Sequence, residues 1–230
     1  MSATAVILQP RTLRFWQTTV GKKVVMAITG LILFGFVVGH LAGNLQVFES
    51  PEKLNRYAAF LKSVPSLLWT ARITLLLAVG LHIWSSFQLW QLQRDARPIK
   101  YVKKVNLNST YASRTMLWSG PIIAAFVIFH LLQFTFGAIH PGAPFDEHNV
   151  YNNVVLGFQV WPVSLFYIIA MTMLCYHLYH GLWSMFQSLG FSHPVYTPWL
   201  QRIAKIVAIL IAVGYISIPV AILAGFIKPV

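Results

Sequence analysis

Five long apolar segments constrain this chain more than any other feature of its sequence. Each is long enough to cross a hydrocarbon layer of about 30 Å as a helix. Hydrophobic residues make up 57% of the 230 residues and charged residues only 10%, whereas soluble domains carry roughly 25% charged residues. The segments lack the alternation of barrel strands, so their backbone groups must pair within helices. The sequence therefore predicts an all-α integral membrane bundle of five transmembrane helices, at residues 24–48, 66–93, 115–139, 160–187 and 204–227.

The connections between these segments are short, so we predict a single membrane domain over residues 1–230. In the first outer loop, Ser50 and Pro51 suit the start of a helix, and apolar residues recur at helical spacing over 54–61. We expect a short amphipathic helix there, lying on the outer membrane surface. Residues 140–159 contain proline, glycine, aspartate and asparagine, which predict a loop.

The net charge of +12 is distributed unevenly between the two sides of the predicted bundle. Lysine and arginine concentrate in cytoplasmic loops, so the N-terminus is predicted inside and the C-terminus outside. Charge placed beside membrane spans favours anionic lipid headgroups or an acidic soluble partner over nucleic acid. The inner side holds Arg11, Arg14, Lys22, Lys23, Arg94, Arg97, Lys100, Lys103, Lys104, Arg114, Arg202 and Lys205, and the outer side holds Lys53, Arg56, Lys62 and Lys228.

Four histidines, His40, His82, His130 and His177, lie in the first four apolar segments. An ionisable side chain inside a membrane is costly and usually has a function and a partner. Counted from the flanking charges, His40 and His130 fall in the outer half, and His82 and His177 fall in the inner half. Because two imidazoles fill both axial positions of a haem iron, two such pairs predict two electron-carrying haems stacked across the bilayer. The alternative for each single histidine is a hydrogen bond between helices.

Other polar groups of the spans are candidates for contacts with the haems or with a quinone. His180 lies three residues after His177 on the same helix face. We prefer the deeper His177 as the iron ligand and expect His180 to bind a propionate or a quinone. Thr29 and Ser119 are predicted to point inward at the depth of the inner haem, where each hydroxyl bonds a propionate or its own helix backbone.

Basic residues at the ends of the spans can neutralise haem propionates, although their role in topology explains them equally well. Glycines near the histidines leave room either for a flat macrocycle or for close helix packing. The basic candidates are Lys22, Lys23 and Arg114 on the inner side and Lys62 and Arg72 on the outer side, and the glycines are Gly35, Gly39, Gly43, Gly80 and Gly181. The single cysteine, Cys175, excludes an intrachain disulfide and offers no iron–sulfur or zinc pattern.

With these residues in place, the chain resembles the membrane anchor of type B succinate:quinone oxidoreductases, the two-haem cytochrome b subunit of succinate dehydrogenase and fumarate reductase. The motifs that carry the resemblance are Gly-Lys-Lys at 21–23, Met-Ala-Ile-Thr-Gly at 26–30, Gly-His-Leu-Ala-Gly-Asn-Leu at 39–45, His82, His130, and His-Leu-Tyr-His-Gly-Leu-Trp-Ser at 177–184. The resemblance implies that His82 and His177 bind the haem near the soluble subunits, and that His40 and His130 bind the distal haem.

Two departures from the family pattern concern the quinone. Many relatives have asparagine or another small polar residue at the position of His180. Some menaquinone-using members have an acidic residue just before the second span, where residues 61–65 here contain none.

The resemblance implies a function in electron transfer. Electrons would pass between a cytoplasmic flavoprotein subunit and iron–sulfur subunit, which oxidise succinate in the tricarboxylic acid cycle, and a membrane quinone, expected to be menaquinone. The chain would bind two haem b, contain no succinate site of its own, and span the cytoplasmic membrane of a prokaryote several times. Two alternatives stay open: the cytochrome b anchor of a hydrogenase, formate dehydrogenase or nitrate reductase, and a haem-free transporter.

Overall fold

Seven α-helices organise the described part of the chain, which is residues 14–97, 99 and 109–230 of a computed structural model. Five of them are long and apolar enough to cross a membrane, and no β-strand occurs among the described residues. An all-helical protein with five potential membrane spans is thereby confirmed. The helices are α1 (Thr19–Asn44), α2 (Pro51–Ser63), α3 (Pro65–Asp95), α4 (Tyr111–Phe134), α5 (Val150–Gln159), α6 (Trp161–Ser188) and α7 (Thr197–Leu223), with short 3-10 helices at Phe15–Gln17 and Leu45–Phe48.

The ends of three spans differ from the predicted ones by four residues or more, and α1 begins at Thr19 instead of residue 24. The helix α4 ends at Phe134 rather than at residue 139, and Gly137 turns the chain with a φ of 61°, a conformation that glycine adopts readily. The helix α7 begins at Thr197 instead of residue 204 and ends at Leu223. Pro198 lies in its first turn, where a missing N–H costs nothing.

The prediction of a loop over 140–159 is wrong for its second half, which forms α5. Asn149 caps this helix, because its side chain accepts a hydrogen bond from the backbone N–H of Asn152 at 3.1 Å. The turn-forming residues that suggested a loop are concentrated before this cap. Arg11, Lys100, Lys103 and Lys104, which contribute to the predicted inner charge, lie outside the described residues.

The helix α2 forms where the sequence predicts a helix, and it helps to close one end of the bundle. Its N-cap Ser50 accepts a hydrogen bond from the backbone N–H of Lys53. Asn55 joins α2 to α5, because its amide donates to Asn149 Oδ1 at 3.2 Å and accepts from the N–H of Tyr151 at 2.9 Å. The Tyr151 hydroxyl donates to the Lys228 carbonyl. Together, α2, α5 and residues 224–230 cover this end of the bundle. The location of this end at the outer membrane surface remains a prediction.

The helix α6 is at the centre of the bundle and packs against α1, α4, α5 and α7. The helix α3 packs on α1, and α4 packs on α6, but no extensive contact joins α3 to α4 within the described ranges. The helices that carry the four histidines are therefore arranged in the order α3, α1, α6, α4 around an interior that is open between the first and the last.

Candidate functional site

The four membrane histidines meet as two pairs in the interior of the bundle. The ring centroids of His40 and His130 are 5.7 Å apart, with their planes at 85°. Those of His82 and His177 are 6.2 Å apart, with their planes at 54°. The outer pair joins α1 to α4 and the inner pair joins α3 to α6, so each pair spans a diagonal of the four-helix arrangement.

The two pairs lie at different levels along the bundle. Thr29 on α1 contacts His82, so this residue marks the level of the inner pair. His40 lies on the same helix eleven residues further along, which corresponds to about 16 Å of rise. The structure thus brings together the same partners that the depth of each histidine predicts from sequence.

The separation of each pair fits two imidazoles on opposite sides of one metal ion. A metal–imidazole bond measures about 2.0 Å and the ring centroid lies about 1.1 Å beyond the nitrogen, so two such rings have centroids about 6.2 Å apart. The inner pair matches this value, and the outer pair is slightly closer. The angle between the ring planes is unconstrained, because each ring can rotate about its bond to the metal.

Each pair supplies two ligands and no more. No group of three or more His, Cys, Asp or Glu side chains that could hold a metal ion occurs in the parts of the chain that the structure describes. A structural zinc site needs four ligands. Two axial ligands suffice where a macrocycle supplies the remaining four, so the arrangement fits haem better than it fits a bare ion.

Hydroxyl groups contact the Nδ1 atom of three of the four histidines. Thr29 Oγ1 lies 3.2 Å from His82 Nδ1, and Ser119 Oγ lies 3.4 Å from His177 Nδ1. Both hydroxyl-bearing residues are buried, as the prediction that they point inward requires. Their neighbours are the histidines themselves, so a contact with a propionate remains a prediction. With Nδ1 occupied, Nε2 is the nitrogen available to a metal.

The outer pair has a hydroxyl partner that sequence reasoning missed. Tyr167 of α6 places its hydroxyl oxygen 3.3 Å from His130 Nδ1 and donates to Gln133 Oε1 at 2.8 Å. Tyr167 and Gln133 are both buried. The available signal was Gln133, a polar side chain inside an apolar span one turn after His130, because such residues face the bundle interior and find a partner there.

The structure also distinguishes His177 from His180. The ring of His177 faces His82, whereas the ring of His180 packs edge-on against Trp183 with centroids 5.5 Å apart. His180 Nδ1 and Trp183 Nε1 are buried and have no hydrogen-bond partner. An indole N–H is a donor only, so this position would accommodate an oxygen acceptor such as a carboxylate or a quinone carbonyl.

The basic candidates lie near helix ends, and Lys62 belongs to α2, which is not one of the five potential spans. Arg114 stacks over Tyr111 and Arg72 over Trp69, with their guanidinium carbons 5.9 Å and 5.1 Å from the ring centroids. Lys62 donates to the backbone carbonyl of Glu147 and so ties α2 to the segment that precedes α5. Lys22 and Lys23 lie near the N-terminus of α1, which begins at Thr19. Roles for these five residues at propionates remain predictions.

The glycines near the histidines have different surroundings. Gly181 lies one turn after His177 on the same face, and a Cβ there would meet no neighbouring atom within 4 Å. Phe36 stacks on His40 with ring centroids 5.1 Å apart and is 43% exposed. Gly80 is two residues from His82 and faces away from it.

Gly43 packs against Tyr57 of α2 and serves helix contact. Among the glycines predicted to leave room for a macrocycle, Gly181 is the one that combines open space with a position on the same helix face as a histidine. Gly35 and Gly39 also have open space beside them.

Fold and site together define an all-helical, multi-pass membrane protein with two histidine pairs at two levels of its bundle. Comparison with known protein families, with curated proteins and with solved structures finds no match to this chain.

Proposed function

We propose that this chain is the two-haem cytochrome b membrane anchor of a succinate:quinone oxidoreductase, acting as succinate dehydrogenase or fumarate reductase. The observation that carries the proposal is the pair His82 and His177, whose rings are 6.2 Å apart. Thr29 and Ser119 contact their Nδ1 atoms, which leaves Nε2 of both rings for iron. The outer pair, His40 and His130, lies one level higher with its rings 5.7 Å apart, and there Tyr167 contacts Nδ1 of His130. When bound, the two haems would carry electrons across the membrane between soluble redox subunits and a quinone.

The residues of the chain hold, insulate and connect these centres. The two imidazoles of each pair would hold one haem, which would then carry electrons and would leave no site for oxygen or substrate. The apolar spans exclude water, which favours low-charge states of a buried centre. Trp183 Nε1 is a buried donor without an acceptor, and His180 Nδ1 beside it is buried and has no hydrogen-bond partner, so these two atoms are the candidates for holding a quinone oxygen or an inner propionate.

The basic inner ends of the spans are the proposed contact with the soluble partners. Lys22 and Lys23 are the fourth and fifth residues of α1, and Arg114 lies in the first turn of α4. These cations would seat an acidic surface of the iron–sulfur subunit, with the flavoprotein subunit beyond it. Charge complementarity of this kind mainly directs association, so binding should weaken as the salt concentration rises.

A pyridine haemochrome assay on the purified protein tests the proposal, with two haem b per chain as the expected result. His177→Ala should remove the inner haem and leave the outer one, and His130→Ala should do the reverse. His180→Ala is the matched control and should keep both. A protein without haem would overturn the proposal, as would loss of the outer haem alone in His177→Ala.

The subunits that copurify with the chain test the assignment to a particular complex. A flavoprotein with covalent flavin and an iron–sulfur protein are expected, together with oxidation of succinate by the isolated complex. A molybdenum or nickel enzyme would assign the chain to formate dehydrogenase, nitrate reductase or hydrogenase instead.

A further inference from the structure

We infer that Thr29 and Tyr167 are positioning residues that keep the ring proton of His82 and of His130 on Nδ1, and that they thereby lower the reduction potentials of the inner and outer haems, respectively. The inference rests on the proposed function, because it concerns haem ligands. For each haem, one hydroxyl-bearing residue would contact one of the two iron-ligating histidines. That residue lies on a different helix from the histidine that it contacts.

The direction of the hydrogen bond at Thr29 follows from where its single proton lies. Its hydroxyl donates to the backbone carbonyl of Val25 at 2.8 Å, with the carbonyl of Met26 at 3.1 Å. Carbonyl oxygens only accept, so the hydroxyl proton is committed to its own helix. Towards His82 Nδ1, 3.2 Å away, Thr29 can therefore only accept. His82 carries its proton on Nδ1 and keeps a lone pair on Nε2.

The same argument applies to the outer pair. The Tyr167 hydroxyl donates to Gln133 Oε1 at 2.8 Å, so it accepts from His130 Nδ1 at 3.3 Å. Tyr167 is 6% exposed and Gln133 is 3% exposed, so water does not compete for these positions. The phenol thus fixes the tautomer of His130 as Thr29 fixes that of His82.

Ser119 provides an internal contrast. It precedes His130 by eleven residues, as Thr29 precedes His40, so both hydroxyls occupy the same place relative to the outer histidine of their helix. Ser119 Oγ is 3.4 Å from His177 Nδ1 and has no other hydrogen bond. Its proton is uncommitted, so Ser119 does not impose a tautomer on His177.

The consequence for the haems follows from ligand basicity. An imidazole whose Nδ1–H donates to an acceptor binds the metal more strongly through Nε2. A stronger donor stabilises oxidised iron relative to reduced iron, and second-shell hydrogen bonds are one of the means by which a protein sets a haem potential. Removing the acceptor should therefore raise the potential of one haem only.

Redox titration of the purified complex, followed by visible spectroscopy, tests the inference. Thr29→Val removes the hydroxyl with little change of shape, and Thr29→Ser keeps it. In Thr29→Val we expect the reduction equilibrium of the inner haem to shift about fivefold towards the reduced form, or about 40 mV at 59 mV per tenfold. The outer haem should be unchanged, and Thr29→Ser should behave as the wild type. Tyr167→Phe should shift the outer haem alone. The single-haem variants His130→Ala and His177→Ala identify each signal.

Two results would overturn the inference while the proposed function stands. In the first, the wild type binds two haems, and neither Thr29→Val nor Tyr167→Phe changes the reduction potential of either haem. The other is an equal shift in Thr29→Val and Thr29→Ser, which would indicate packing instead of hydrogen bonding. Loss of the inner haem in Thr29→Val with retention in Thr29→Ser supports the inference. A wild-type protein without haem would overturn the proposed function, and the inference with it.

Discussion

Two glycines of this protein should respond oppositely to the same substitution, Gly43 on α1 and Gly181 on α6. At Gly43 an added Cβ would lie 2.6 Å from Tyr57 Cε1 and 2.9 Å from its hydroxyl oxygen. At Gly181 it would meet no neighbouring atom within 4 Å. Gly43→Ala should therefore destabilise the contact between α1 and α2, whereas Gly181→Ala should be tolerated.

The distances set the size of the effect. Carbon atoms in contact are about 3.5–4.0 Å apart, so Tyr57 would have to retreat by about 1 Å. Overpacking of this kind costs about 1–3 kcal/mol. Alanine recovers about 1 kcal/mol relative to glycine in a helix interior. The free energy of unfolding should thus fall by up to about 2 kcal/mol in Gly43→Ala and rise by up to about 1 kcal/mol in Gly181→Ala.

Reversible unfolding in mixed micelles, followed by the helical circular dichroism signal, measures this difference. Tyr57→Ala in the Gly43→Ala background is the control, because removing the ring should remove most of the penalty. Equal stability of the two alanine variants would refute the reasoning. Gly181→Leu extends the test to function, since a larger side chain beside His177 should exclude the inner haem and leave the outer one.

Three further predictions concern other parts of the chain. His180→Leu should retain both haems, because His177 is the residue that faces the opposite helix, and a pyridine haemochrome assay that finds one haem would reverse this assignment. Asn55→Ala should lose the two hydrogen bonds between α2 and α5, at about 1–2 kcal/mol, and hydrogen exchange should then accelerate in both helices and nowhere else. The pKa of Glu52 is held below its ordinary value of 4.5 by its own backbone N–H and by the Ser50 hydroxyl. The N-terminus of α2 should therefore keep this stabilisation above pH 4.5 and lose it as the pH falls through the folded-state pKa. Hydrogen exchange of α2 between pH 6 and 3 measures this, and the same protection at both ends would contradict it.

Much of the fold is local and could therefore be predicted from sequence. A span is defined by the length of an apolar run, and a helix start is defined by its cap, as Ser50 and Pro51 show at α2. The helix α5 was missed because its cap, Asn149, follows a series of turn-forming residues that masked it. The end of α4 was placed too late because residues 135–139 stay largely apolar after the helix ends, and apolar character alone does not report the turn at Gly137.

The candidate site likewise has a part that could be predicted from sequence and a part that could not. The sequence by itself determined which histidines lie within the spans and at which depth, because rise per residue and flanking charge are properties of one helix at a time. Only the tertiary structure decided what each ring contacts. Thr29 and His82 are separated by 53 residues and Tyr167 and His130 by 37, and each pair meets only because two helices pack at one particular rotation. Helical spacing predicts which residues share a face, but the face that turns towards a neighbouring helix is set by packing along the whole bundle.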